Sequence, residues 1–78
     1  MVLDMNKGQR KFDSMIVDLG LSVRAVGDLI GCSGAMVHGL RRGQVSQPGL
    51  RLAVKIHELS LEKWPQGAPI TPADWLLP

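Results

Sequence analysis

The sequence has no tyrosine, one phenylalanine and two tryptophans among 78 residues. That scarcity argues for a core of Leu, Ile, Val and Met. A single cysteine, Cys32, excludes an internal disulfide. No stretch approaches the ~20 consecutive apolar residues that cross a bilayer, and the N-terminus lacks the apolar run of a secretory signal. These absences set the expectation of a cytoplasmic protein with no membrane partner. Two histidines and one cysteine, in no ligand spacing, argue against a metal site. No nucleophile–base pairing is suggested by the positions of His38 and His57. An enzyme is not expected, nor a cofactor or small-molecule substrate.

What remains is a soluble globular composition, 45% hydrophobic and 21% charged, sufficient for one domain. A chain this short buries a modest core, so association with a second copy is a reasonable expectation. The net charge of +2 is unevenly placed. Lys7, Arg10 and Lys11 balance Asp4, Asp13 and Asp18 in the first 20 residues. Residues 21–55 carry Arg24, Arg41, Arg42, Arg51 and Lys55 against Asp28 alone, a net of +4. Residues 56–78 carry Lys63 against Glu58, Glu62 and Asp74, a net of −2. A basic middle third suits a polyanion better than the total suggests.

Periodicity is helical throughout, and no segment reads as a strand. Residues 1–6 read as a flexible tail. Phe12, Met15, Ile16 and Leu19 form one stripe of a first helix over residues 7–19, with Gly20 as its stop. Ser22 is a natural N-cap for a second helix carrying Val23, Val26, Gly27 and Ile30, ended by Gly31. Ser33 caps a third, whose inward side is marked by Val37 and Leu40 and which Gly43 ends. After a loop over 44–49, a fourth helix is expected over 49–59. It has two stripes, Leu50, Ala53, Val54 and His57, and Leu52, Ile56 and Leu59. An apolar arc this wide covers more than one neighbour. Four of the five prolines lie in 64–78, which excludes a long helix there. Thr71-Pro72-Ala73-Asp74 reads as a capping box opening a single turn with Trp75. The domain proper is thus expected over 7–60, with 61–78 as a segment for packing or dimerisation.

The informative stretch is 22–42. Two short helices are separated only by Gly31-Cys32-Ser33, and Gly27 sits on an otherwise apolar face at a cost of ~1 kcal/mol against Ala. Close approach of the following chain is its expected reason. Leu21 through Gly43 resembles the helix-turn-helix of Cro/C1-type (XRE-like) regulators, small prophage-type members included. The resemblance rests on Gly27 and Gly31, on the apolar Val26, Ile30, Cys32, Val37 and Leu40, on Ser22 and Ser33, and on Arg42-Gly43. It departs from the family at Val23, where Gln is common, at Gly27, where the small residue is usually Ala, and at Gly34 and Gly39. Gly31-Cys32-Ser33-Gly34 also spells the loop of KH domains, but that fold needs strands.

The resemblance implies an all-α, compact, four-to-five-helix, lambda-repressor-like DNA-binding domain. It implies a sequence-specific transcriptional regulator of double-stranded DNA, a repressor, binding a palindromic operator as a homodimer. The recognition helix would be 33–41, with Ser33, Gly34, Ala35, Met36, His38, Gly39 and Arg42 towards base edges. Ser33 doubles as a cap, and Met36 either meets a thymine methyl or packs inward. Gly34 and Gly39 would let backbone and DNA come close. Ser22, Arg24, Arg41 and Gln44 would meet phosphates. One recognition helix reads too few base pairs alone, and Leu52, Ile56, Leu59, Trp64 and Trp75 are the candidates for a dimer interface. The alternative is an interaction module of the same fold, such as an antitoxin-like partner, without strong DNA binding.

Overall fold

The computed structural model describes residues 5–77. They form α1 (Lys7–Leu19), α2 (Val23–Ile30), α3 (Gly34–Arg42), α4 (Leu50–Lys63) and a C-terminal 3-10 turn (Pro72–Leu76), with no strand among the described residues. The all-α architecture expected from the sequence is the one that forms.

The helix ends have local causes. The Ser22 hydroxyl accepts the Ala25 N–H at 3.0 Å, and the Ser33 hydroxyl accepts the Met36 N–H at 3.1 Å. Between these caps the chain reverses in three residues. Gly31 takes φ +77°, a left-handed conformation that costs other residues ~1–2 kcal/mol. Its N–H and that of Cys32 both donate to the Gly27 carbonyl, at 2.8 and 2.9 Å. A Cβ on Gly27 would stand 2.6 Å from the Cys32 carbonyl oxygen. Only glycine lets the turn fold back onto α2 this closely.

The core draws on every element: Phe12, Met15 and Ile16 from α1, Val26 and Ile30 from α2, Val37 and Leu40 from α3, and Ile56 and Leu59 from α4. Trp64, Ile70 and Trp75 complete it. The C-terminal segment packs within its own chain, onto α1. The Lys7 N–H donates to the Leu77 carbonyl at 2.8 Å, and the Trp75 ring lies so close over Gly8 that a Cβ there would meet it at 2.5 Å. Trp75 also meets Phe12 edge-on at 5.8 Å between centroids.

Three expectations change. The tail expected over 1–6 does not include Met5 and Asn6; residues 1–4 lie outside the described residues. Asn6 caps α1 in a capping box with Gln9, and its side chain donates to the Ser46 carbonyl at 2.6 Å. Next, α4 continues past Leu59 to Lys63, because no helix breaker occurs before Pro65. The segment 61–78 therefore does not begin at an element boundary. Finally, the candidate dimer residues Ile56, Leu59, Trp64 and Trp75 are 0%, 7%, 6% and 2% exposed in the chain's own core, and Leu52 packs against it. The first four are not available to a second subunit, and Leu52 is partly covered. Periodicity marks both stripes of α4 but not which one its neighbours α2 and the C-terminal turn will cover.

One buried ion pair fastens the C-terminal segment. Lys11 Nζ lies 2.8 Å from Asp74 Oδ2 and donates to the Pro69 carbonyl at 3.0 Å. Asp74 Oδ2 also accepts the Thr71 N–H at 2.9 Å, closing the capping box. Burial alone would raise the Asp74 carboxyl, but the Lys11 ammonium and the Thr71 contacts outweigh it and hold it below the usual value. A depressed carboxyl adds stability that is present above the unfolded-state value and lost as pH falls through the folded one. Lys11→Met is expected to cost about 1–3 kcal/mol at neutral pH by leaving Asp74 buried and unpaired. The deficit should shrink as pH falls and Asp74 takes up its proton in the folded protein, since the unfolded chain is common to both. Urea unfolding followed by tryptophan fluorescence across pH checks it; a deficit constant with pH would remove the pair from the account.

Candidate nucleic-acid interface

α3 is held by one side and open on the other. Val37 and Leu40 are fully buried, while Ala35, Met36, His38 and Arg42 are exposed. Ala35, His38 and Arg42 recur at i, i+3 and i+7, so they share one outward face. Ser33 is exposed at the start of the helix with its hydroxyl engaged as cap. Arg42 is in the last turn, where a cation suits the helix dipole.

Arg24 and Arg42 are exposed and have no hydrogen bond or ion pair to another described residue. Ser22 and Gln44 are exposed at the entry to α2 and just after α3. The arrangement brings Ser33, Ala35, Met36, His38 and Arg42 onto one surface element, with the other candidate phosphate contacts on flanking segments.

Two of the sequence candidates are placed differently. Gly39 is buried rather than presented to a ligand. A Cβ there would come within 3.0 Å of Val45 Cγ2, and the Val45 N–H donates back to the Gly39 carbonyl at 3.1 Å. Its missing side chain makes room for the loop after α3. Gly34 is half-buried, and a Cβ there would make ordinary contact with Val23 Cγ1 at 3.4 Å.

Arg41 is engaged by a residue the sequence did not single out. Its Nε donates to Asp13 Oδ1 at 2.7 Å and its Nη2 lies 2.7 Å from the same oxygen. Asp13, His38, Arg41 and Arg42 surround a cleft of about 300 Å³ between α1 and α3. No local signal announces this pair, since 28 residues separate its members. Gln9 was also missed. It is 2% exposed and its amide donates to the Val45 carbonyl at 3.0 Å, tying the loop after α3 to α1. The Asn6-x-x-Gln9 spacing of a capping box was the available signal.

Cys32 in the turn packs half-buried against the core, and burial pushes its thiol up. That environment disfavours the thiolate, the reactive form of the side chain. Among the described residues no helix is long and apolar enough to cross a membrane. No family model, curated protein or solved structure matches this chain.

Proposed function

We propose that this chain is a sequence-specific DNA-binding transcriptional regulator that inserts α3 into the major groove of double-stranded DNA. It acts as a homodimer on a palindromic operator, with recognition helices about 34 Å apart. Where the operator overlaps a promoter, occupancy represses. The observation that carries this reading is the outer face of α3, with Ala35, His38 and Arg42 exposed in register on a helix whose other side is locked in the core.

In this reading each residue has a distinct task. Arg42 offers a planar guanidinium able to hold guanine O6 and N7 bidentately. His38 reaches an adjacent base or phosphate, and Ala35 meets a thymine methyl. Arg24, Gln44 and Ser22 engage phosphates and set the register of the helix on the duplex. Selection of bound duplexes from a random pool tests the whole reading. A palindromic consensus and an affinity that falls steeply with salt are expected. Recovery of no consensus, with no binding at low salt, overturns it.

Asp13 subtracts from this surface by holding Arg41. Asp13→Asn should leave the fold intact, because an ion pair this open to solvent on the Asp13 side contributes little. It should raise duplex affinity and steepen the salt dependence by about one phosphate contact per subunit. Electrophoretic titration at several salt concentrations reads this, and an unchanged slope would leave Arg41 out of the interface.

A second reading, an interaction module without DNA binding, draws on the same two features that thin the surface, buried Gly39 and engaged Arg41. A stable complex with another protein, and none with duplex at low salt, is its signature.

A further inference from the structure

On α4 a second apolar stripe lies outside the core. Leu50, Val54, His57 and Leu61 recur at i, i+4, i+7 and i+11, the spacing of a single helix seam. Leu50 is 76% exposed, Val54 42% and Leu61 54%, and His57 is half-buried. At its N-terminal end the stripe opens into an apolar groove of about 410 Å³ lined by Leu50, Ala53, Trp75 and Leu76 among others.

The charges beside this stripe are sorted along the helix. Arg51 and Lys55 lie in its first half, Glu58 and Glu62 in its second, all four exposed. At about 100° per residue they fall within one sector of about 60°, on the same flank of the stripe. Within α4 this order is unfavourable, since the helix dipole prefers acids at the start and bases at the end. The first turn holds no acid at all. Glu62 reaches Lys63 only at 4.0 Å, with both side chains more than half exposed.

We infer that this face of α4 receives a second copy of the chain, with the two α4 helices antiparallel about a twofold axis near Ile56. In an antiparallel pair the same flanks meet. Leu50 then faces Leu61 of the second copy, and Val54 faces His57. Lys55 faces Glu58 and Arg51 faces Glu62, so basic half meets acidic half along the whole contact. Each contact occurs twice, as twofold symmetry requires. Leu61 of the second copy enters the groove beside Leu50 and Trp75. A parallel pair would instead bring opposite flanks together and leave these four charges without partners across the contact. The pairing supplies the dimer that the DNA reading calls for, but it is argued from α4 alone and is read without DNA.

Sedimentation equilibrium of the full chain, with no DNA present, is the test. The wild type should show the mass of two 8.5 kDa chains as concentration rises. Leu61→Asp should keep its helical circular dichroism and sediment as a monomer. Lys55→Glu should weaken the dimer by about tenfold or more by placing like charges opposite each other twice. Adding Glu58→Lys to it should restore the dimer, because the pair is reversed rather than removed. A wild type that stays monomeric throughout, a Leu61→Asp dimer, or a double reversal that fails to restore association would each overturn the inference. A monomer that still selects a duplex consensus loses the pairing and keeps the DNA reading. A dimer broken by Leu61→Asp that binds no duplex keeps the pairing and loses the DNA reading.

Discussion

Val37→Asp will leave the domain largely unfolded. Val37 is fully buried where α3 meets the core, with no polar partner there for a carboxylate. An unpaired charge in such a site costs far more than the methyl groups it replaces. Substitutions of this kind belong to the tail above about 4 kcal/mol, against a total of about 4–12 kcal/mol for a domain of this length. Helical circular dichroism at neutral pH should be largely lost, and the two buried tryptophans should emit as solvated indoles. Val37→Ala is the companion variant. It should lose roughly 1–3 kcal/mol through missing contacts and remain folded. A folded Val37→Asp protein would mean that α3 presents a different side to the core. The outward set of Ala35, His38 and Arg42 would fall with it.

Arg42→Ala carries the largest expected effect on DNA binding. A bidentate guanidinium–guanine pair discriminates by about 1–3 kcal/mol. A twofold complex loses it at both half-sites, so specific affinity should fall by about a hundredfold or more. The preference at one position per half-site should relax, while binding to unrelated duplex weakens much less. The fold should survive, since Arg42 is exposed and partnerless among the described residues. Its loss removes only a favourable helix-end charge, about 0.3–1 kcal/mol. Competition titrations against specific and unrelated duplexes separate these effects. Equal loss on both would reassign Arg42 to a phosphate. No loss on either would remove α3 as the reading element.

The two variants probe opposite sides of one short helix, and those sides were legible to different degrees. The inward side followed from Val37 and Leu40 at a spacing of three, bracketed by Ser33 and Gly43. The outward side followed only partly. Gly39 shares the periodicity of an exposed position, yet Val45 from the following loop covers it. Arg41 and Arg42 are adjacent cations, but one is held by Asp13 and the other is free to meet a ligand. Nothing in the sequence near 41 and 42 distinguishes them, because the distinction comes from α1.

α4 shows the same limit at a larger scale. Its two apolar stripes were both visible, and the one assigned to a partner proved to be the core. Trp64 and Trp75 moved with it. The Trp64 indole N–H donates to Asp18 at 3.0 Å and Trp75 packs on α1, contacts that no local pattern encodes. The exposed row through Leu50, Val54 and Leu61 was half present in the other stripe. It gained its meaning only once α4 extended to Lys63 and the sorted charges fell beside it.

The sequence by itself determined the elements and the turn that joins α2 to α3. Capping serines, left-handed glycines and the close approach at Gly27 act within a few residues, so their physics is complete in a short window. Tertiary structure alone decided which stripe of α4 is inside, which of Arg41 and Arg42 is held, and where the C-terminal segment goes. A helical period fixes side chains relative to one another on their own cylinder. The rotation of that cylinder against its neighbours is set by packing the whole core at once, through pairs such as Asp13–Arg41 and Lys11–Asp74 that lie 28 and 63 residues apart.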